Sequence, residues 1–263
     1  MEMDIFVVDA FTEQQFKGNS AAVIPLQQWP DANVMQNIAI ENNLSETAFI
    51  KPVSQNKYQI RWFSPITEID FCGHATLASA HVLFQELGIR HKIEFVTAKV
   101  GTLVVTMNAN NKIEMSFPSQ MPTPVSTIPD AVYSGLSITP KKVLKNRQAY
   151  FAVLSNEQEV YDITYDSEQL KKLAPYDIVV TARSNEYDFV SRYFWPANGG
   201  DEDPVTGSIH AGLAPYWAAA LNKQEVIAYQ ASKRGGALRC VMSGDRVLVS
   251  GNAVLYLKGK IYL

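Results

Sequence analysis

Glu46 is the ionisable residue of this sequence whose surroundings are most unusual. It begins a strand-like segment and is followed almost at once by the apolar run Ala48–Ile50. Apolar surroundings disfavour the charged form of a carboxylate, and such a group is suited to taking up a proton and returning it. The same pattern also fits a solvated residue at a strand edge. The residues alone favour that plainer interpretation, so a catalytic role for Glu46 needs further support.

Two glycines that open helix-like segments form the second candidate feature. Gly73 and Gly207 each follow an acidic, turn-like loop and precede a run of small and apolar residues. A helix start has about four unpaired N–H groups and roughly half a positive charge, and glycine allows a ligand to approach them. Because the sequence has no glycine motif for phosphate, a substrate carboxylate is the anion we expect there. Tight turns alone would explain both glycines equally well.

Three polar residues beside these glycines are further candidates. His74 follows Gly73, where the positive end of a helix favours a neutral imidazole, although a buried histidine bonded to backbone fits as well. Asp203 precedes a proline, and a turn before a helix is locally its better explanation. Ser208 fits either a contact to substrate or an ordinary residue of the first helical turn.

Histidine and cysteine spacings predict no metal site. His81 lies seven residues after His74, whereas a metal pair on a helix needs a spacing of four, and His91 and His210 belong to no cluster. Cysteine occurs only at positions 72 and 240, without a C-x-x-C spacing. This usage fits a reducing compartment and argues against a disulfide scaffold.

Composition and charge narrow the class of protein. The 263 residues are 47% hydrophobic and 19% charged, as in ordinary globular proteins. A formal net charge of −3 gives no basic surface for nucleic acid. No apolar run approaches the roughly 20 residues of a membrane span, and the acidic start of the chain does not resemble a secretory signal. We therefore expect a cytoplasmic protein without nucleic-acid or membrane partners.

An internal repeat predicts two similar lobes. Arg61–Pro65 (RWFSP) recurs as Arg192–Pro196 (RYFWP), and in each copy an acidic loop, a glycine-initiated helix and two strand patterns follow in the same order. The predicted lobes are residues 1–118 and 130–251. The three prolines within 119–129 predict a linker, and 252–263 carries an extra strand pattern that could return to the first lobe.

Four segments in fixed order resemble the phenazine-biosynthesis PhzF-like isomerase family. They cover nearly the whole length of the chain, and their order and spacing make the resemblance specific. The segments are Asp9–Asn19 with the pattern DAFT through FKGN, Ser45–Phe49 (SETAF), Phe71–Thr76 (FCGHAT) and Glu202–Ser208 (EDPVTGS).

This resemblance implies an α+β fold of the diaminopimelate epimerase type. Each of two pseudo-symmetric lobes would wrap a strongly curved, mostly antiparallel sheet around a central buried helix, with the active site between the lobes. It also implies a homodimer and a cofactor-free acid/base isomerisation of a small carboxylate-bearing substrate. By the same resemblance Glu46 is the proton shuttle, His74 and Asp203 support it, and Gly73, Gly207 and Ser208 hold the substrate.

The positions of the cysteines bear on the alternatives. Diaminopimelate epimerases and proline racemases share this fold but use two facing cysteines, each at a helix start. Here only Cys72 lies near a helix start, so one-base transfer through Glu46 fits better. An epimerase or racemase of an amino or hydroxy acid remains the alternative enzyme, and a non-catalytic small-acid-binding or adaptor protein is a third possibility. The second lobe is short between 129 and 187, where family members have more residues. Loops of this kind often select the substrate, so the sequence does not specify which substrate is bound.

Overall fold

The computed structural model describes residues 2–90 and 92–263. By its internal contacts the chain divides into two compact units, the first comprising 1–116 with 250–263 and the second 117–249. These boundaries fall within two strands, whereas the predicted lobes end at residues 118 and 251. Each unit is described by itself below.

The first unit has a mixed sheet with two α-helices. Its elements are β1 (Glu2–Ala10), β2 (Asn19–Pro25), α1 (Ala32–Asn42), β3 (Glu46–Ser54), β4 (Lys57–Phe63), β5 (Glu68–Ile69), α2 (Gly73–His81) continued by a π-helical turn (Val82–Glu86), β6 (Ile93–Val96), β7 (Thr102–Met107) and β8 (Ile113–Pro118). The order in the sheet continues from β1 through β2, β3, β4, β6 and β7 to β8, with parallel pairing only at β2–β3 and β4–β6.

The second unit repeats this arrangement. Its elements are β9 (Thr123–Pro124), α3 (Asp130–Gly135), β10 (Lys142–Lys145), β11 (Ala149–Val153), α4 (Glu157–Asp162), α5 (Ser167–Leu170) with a 3₁₀ turn (Lys171–Leu173), β12 (Asp177–Arg183), β13 (Phe189–Phe194), a 3₁₀ turn (Pro196–Asn198), β14 (Glu202–Asp203), α6 (His210–Leu221), β15 (Glu225–Gln230), β16 (Gly236–Ser243) and β17 (Arg246–Gly251). Parallel pairing again occurs at two places, β11–β12 and β13–β15, between antiparallel neighbours.

Equivalent side-chain contacts accompany the repeat. Arg61 of β4 forms a two-pronged ion pair with Glu68 of β5, and Arg192 of β13 forms the same pair with Glu202 of β14. In each unit the short acidic strand therefore pairs with the strand before it and leads toward the buried helix. The sequence repeat thus corresponds to a repeat of structure.

Two segments next to the ends of the predicted lobes can be compared with their sequence expectations. The proline-rich stretch 119–129, predicted as a linker, belongs to the second unit and contains β9, which pairs with β10. The segment after 251 forms β18 (Ala253–Tyr262), which pairs antiparallel with β1 along the whole length of β1. The extra strand therefore belongs to the first unit, in agreement with the expectation that it could return to the first lobe.

The helices at the centre of each unit are buried to different extents. All residues of α2 from Gly73 to Ala80 are buried, and this helix packs against β1, β2 and β3. Helix α6 buries its first half and exposes Ala219 and Ala220, so it is not covered on every side. It continues through Pro215, and it starts at His210 instead of at Gly207. Among the described residues 2–90 and 92–263, no helix is long and apolar enough to cross a membrane.

A tight loop between β1 and β2 positions the start of β2. Asp9 accepts hydrogen bonds from the backbone N–H of Phe16, at 2.9 Å, and from the hydroxyl of Ser20. Gly18 has a φ of +64°, and a Cβ atom there would lie 2.1 Å from the carbonyl oxygen of Ala10. The loop therefore needs glycine at this position both for its conformation and for space.

Replacing Gly18 by alanine is expected to destabilise the first unit strongly. The left-handed conformation costs an alanine about 1–2 kcal/mol, and the overlap with backbone should raise the total to about 3 kcal/mol or more. Gly101 is the matched control, since its φ is +82° but no atom lies within 4 Å of its would-be Cβ. Urea unfolding of G18A and G101A measures the difference, and equal losses would contradict the close contact.

Candidate active site

Glu46 lies at the first position of β3, where parallel pairing with Ala21 of β2 fixes its backbone. The residue is only 7% exposed, and Thr47 to Ile50 after it are buried as well. A buried carboxylate oxygen normally has a polar partner, and the partner of its Oε2 atom is the imidazole of His74.

His74 lies beside this carboxylate. It is the second residue of α2 and is buried, and its Nε2 lies 2.8 Å from Oε2 of Glu46. This distance is that of an ion pair between a protonated ring and the carboxylate. The first residue of β3 and the first turn of α2 therefore bring together a buried acid and a buried base, the requirement for moving a proton between them and a substrate.

Two further side chains contact the imidazole. Asn19, the first residue of β2, has Nδ2 3.0 Å from Nδ1 of His74, and Sγ of Cys72 lies 3.4 Å from the same nitrogen. The orientation of the Asn19 amide follows the protonation of the ring. A neutral ring with its proton on Nε2 accepts from Nδ2 of Asn19, whereas a protonated ring donates from Nδ1 to the amide oxygen turned toward it.

The pKa of His74 lies well above its ordinary value. Burial by itself lowers this pKa, but Cys72 and Glu46, which both contact the ring, raise it further than burial lowers it. Glu46 is the dominant partner on physical grounds, because burial and the Glu46 charge raise the pKa of Cys72 to about 11 and keep the thiol neutral. The expectation of a neutral imidazole considered only the helix end. A carboxylate at contact distance outweighs a helix dipole.

Asp203 is held in the second unit by a separate network. Its Oδ2 accepts a hydrogen bond from the hydroxyl of Thr206, and its carbonyl accepts one from Nε2 of Gln230 at 2.7 Å. The same Gln230 accepts from the backbone N–H of Thr206 at 2.9 Å. These bonds fix the turn that precedes Gly207. They are the contacts expected of a structural turn, and a role in chemistry remains a prediction.

Gly207 and Ser208 lie in tight turns before α6. The N–H of His210 bonds to the carbonyl of Gly207 at 3.3 Å, and that of Ala211 to the carbonyl of Ser208 at 3.1 Å. Bonds of this i to i+3 type precede the α-helix, which explains why the helix starts three residues later than expected. The backbone N–H groups of this region still precede a helix, as the anion-site hypothesis requires.

A polar chain in the second unit orients the hydroxyl of Ser208. Gln148 donates both hydrogens of Nε2, one to Oγ of Ser208 and one to the hydroxyl of Tyr193, each at 3.0 Å. Tyr193 donates in turn to Asp177, which also accepts from Asn198 at 2.7 Å. Burial raises the pKa of Tyr193 well above its usual range, as does the adjacent Asp177 carboxylate, so the phenol remains a donor.

The sequence did not indicate the residues that contact and orient the candidate site residues. Asn19 lay within a recognised segment but had no role assigned, and Gln148, Asp177 and Gln230 carried no signal. The repeat could have drawn attention to Tyr193, which is the counterpart of Trp62. The others contact the candidates only across strands that are distant in sequence.

The remaining histidines and cysteine lie apart from these groups. His210 is fully buried, contacts the carbonyl of Thr206 at 2.8 Å and has a pKa lowered to about 4 by burial, so it is a neutral structural residue. Cys240 is buried in β16, and burial raises the pKa of its thiol. His81 occupies the end of α2. His91 lies outside the described residues.

Comparison with known proteins identifies the family. The sequence model of phenazine biosynthesis-like proteins matches residues 8–259. The chain belongs to the phenazine biosynthesis-like protein family. Two relatives, from Halalkalibacterium halodurans and Pseudomonas aeruginosa, are 46% and 44% identical over the whole of both chains, and each is named an uncharacterized isomerase. A PhzF-family crystal structure from Enterococcus faecalis is 43% identical over the whole of both chains, with a TM-score of 0.94.

These findings confirm the predicted family, the isomerase class and the fold. A structure of a probable proline racemase from Agrobacterium radiobacter covers 99% of this chain and 93% of its own, at 10% identity and a TM-score of 0.64. At that identity it shows likeness of fold alone. The resemblance of four short segments implied an α+β fold of the diaminopimelate epimerase type. The structural likeness extends over nearly the whole of this chain.

The raised pKa of His74 predicts a pH dependence of stability. A histidine that binds its proton more tightly when folded contributes stability fully below its unfolded pKa of about 6.5 and loses it as pH rises through the raised value. The free energy of unfolding should therefore fall above pH 6.5 in the native chain and fall less in H74Q.

H81Q is the matched control on the same helix. Burial lowers the pKa of His81, so its effect has the opposite sign and appears only as pH falls below about 6.5. Chemical unfolding between pH 6 and 9 gives the comparison. A decline above pH 6.5 that is equal in the native chain and H74Q would contradict the prediction.

Proposed function

We propose that this isomerase works without a cofactor and that Glu46 moves a proton between two carbons of a small carboxylate-bearing metabolite. The observation that supports this most is the buried Oε2 of Glu46, which lies 2.8 Å from Nε2 of the buried His74. One carboxylate can take a proton from one carbon and return it to a neighbouring position, a 1,3-type shift, if the substrate stays bound between the two steps.

His74 has the supporting role in this proposal. When Glu46 is charged, the protonated imidazole stabilises it, and the raised pKa of His74 keeps that proton in place at neutral pH. When Glu46 holds the substrate's proton, the imidazolium can donate to a developing negative charge on the substrate. With its amide oxygen turned toward the ring, Asn19 accepts from Nδ1 of the imidazolium, so that Nε2 stays directed toward the carboxylate.

Gly73, Gly207 and Ser208 are proposed to hold the substrate, with Asp203 as a further supporting residue. Gln148 donates to Oγ of Ser208 and occupies an acceptor position of that oxygen, which leaves the hydroxyl hydrogen free to be donated. A serine restricted in this way suits an acceptor such as a carboxylate. The backbone N–H groups after Gly73 would add donors of the same kind.

The resemblance also supports a homodimer acting in the cytoplasm, which we include in the proposal. The formal net charge of −3 argues against a nucleic-acid partner. Nothing in the sequence identifies a pathway, so the metabolite is specified by its chemistry, a cyclic or open-chain acid with an acidic C–H bond.

Solvent-exchange experiments test the role of Glu46. In D₂O the native chain should incorporate deuterium into a turned-over substrate from a panel of cyclic and open-chain unsaturated acids. E46Q keeps the shape of the side chain but cannot carry the proton, so incorporation should fall at least about 100-fold. Mass spectrometry or proton NMR of the recovered acid measures it.

E41Q is the control for this experiment. Glu41 lies at an exposed position of α1, so E41Q makes the same glutamate-to-glutamine change away from the proposed site. This variant should incorporate deuterium at the native rate. Circular dichroism and melting curves must show that E46Q remains folded. Unchanged deuterium incorporation by a folded E46Q variant would contradict the proposal.

A two-base epimerase or racemase is the second candidate, because Cys72 lies beside His74 and Glu46. Two observations weigh against it. The pKa of Cys72 is raised to about 11, which makes its thiol a poor base at neutral pH. The residue before Gly207 is Thr206, so the second unit has no thiol at the corresponding position.

C72A separates the two mechanisms. If Glu46 is the only base, C72A should retain exchange within about 3-fold of the native rate, since less than ~1 kcal/mol of barrier then depends on the thiol. Turnover of a racemising substrate that disappears in a folded C72A would establish the two-base alternative instead. Both rates are measured by the same deuterium assay.

A further inference from the structure

Three different ligand types converge at the start of α2. The carboxylate of Glu46, a ring nitrogen of His74 and Sγ of Cys72 lie within 4.8 Å of one another, and all three residues are buried. They come from two elements of the first unit, β3 and the residues that begin α2. Sequence spacing gave no indication of this cluster, because Glu46 is distant in sequence from the other two.

The donor set matches the preferences of Zn²⁺. Thiolate, imidazole and carboxylate are the three protein ligand types that bind zinc, with bonds of about 2.0–2.3 Å. Around a tetrahedral ion such bonds place neighbouring ligand atoms about 3.3–3.6 Å apart. Here Nε2 of His74 lies 2.8 Å from Oε2 of Glu46 and 3.9 Å from Sγ of Cys72. Movements of well under 1 Å would therefore bring the two measured pairs to ligand spacing.

The burial of Glu46 also favours a cation at this position. Its side chain is more than nine-tenths buried, and its Oε2 faces the cluster, where the imidazole at 2.8 Å is its partner. A buried carboxylate is stabilised by a positive charge beside it, and a zinc ion held by the three side chains would supply that charge in place of the imidazole proton. Asn19, with its amide oxygen turned toward Nδ1 of His74, would supply the kind of outer contact that orients a metal-bound imidazole.

We propose that Cys72, His74 and Glu46 form a binding site for Zn²⁺, and that the bound ion inhibits the enzyme. Binding replaces the thiol proton of Cys72 and the Nε2 proton of His74, so two protons are released and no oxidant or reductant is needed. The three protein ligands leave a fourth position open to water or to a substrate oxygen. The sulfur and nitrogen donors exclude Mg²⁺ and Ca²⁺ as preferred occupants.

Inhibition follows because the ion and the proton compete for the same oxygen. A Glu46 carboxylate bound to zinc cannot take up a proton from substrate. This part of the inference rests on the proposed function, whereas zinc binding itself does not. The chelator-treated chain should thus be the active form.

Metal titration of the chelator-treated full chain tests the binding site. Calorimetry with Zn²⁺ should show one site per chain, and Cd²⁺ should produce an ultraviolet thiolate-to-metal band. C72A should lose the band and bind Zn²⁺ at least 10-fold more weakly, and E46Q should also bind more weakly. C240S, which changes the cysteine of β16, should keep both signals, and Mg²⁺ should not compete.

Activity measurements with the same variants complete the test. Zn²⁺ should stop deuterium exchange in the native chain and in C240S, chelator should restore it, and C72A should exchange deuterium but resist zinc. Absence of stoichiometric zinc binding, or binding that is unchanged in folded C72A and E46Q, would overturn the site. Stimulation of exchange by zinc would overturn inhibition. Zinc binding without exchange in any form would refute the proposed function and leave the site standing.

Discussion

The contact between Glu46 and His74 is the interaction on which the proposed chemistry of this chain depends. Each group is costly to bury alone, because removing a carboxylate or an imidazolium from water disfavours its charged form. Placed 2.8 Å apart, they stabilise each other and keep a proton within the pair. An enzyme that transfers protons needs a proton held at a fixed position in this way. Much of the first unit can be understood as a frame that keeps these two side chains buried and adjacent.

That frame is made of backbone interactions more than of side-chain bonds to the pair. Parallel pairing of β2 with β3 sets Glu46 opposite Ala21. The loop held by Asp9 and allowed by Gly18 sets the start of β2, and thereby Asn19 against the imidazole. The burial of nearly all of α2 prevents its first turn from moving away. The atoms involved in each of these constraints are closely packed. Small losses of packing in β2, in the Gly18 loop or in α2 should therefore shift the side chains of Glu46 and His74.

The second unit repeats the arrangement of strands and helix but carries different residues before its helix. The arginine–glutamate pair between neighbouring strands is kept in both copies, at Arg61 and at Arg192. The residues before the two helices have diverged, with Cys72 in one copy and Thr206 in the other. In the second copy Thr206 and Gln230 fix the turn after Asp203, and the polar groups there are bonded to one another. The proposed chemistry is thus concentrated in the first copy, where a buried carboxylate contacts a buried imidazole.

The sequence by itself determined the two-copy architecture, the family and the short segments that carry the candidates, because each of these is written in local order and spacing. It could not determine whether Glu46 is buried, since burial comes from β2 and α2, which pack on it only after folding. It also gave a neutral His74, because a helix start is local and the carboxylate that outweighs it is not. The support from Gln148 and the three-ligand cluster around Cys72 were decided by the tertiary structure alone, which joins strands and helices that lie far apart along the chain.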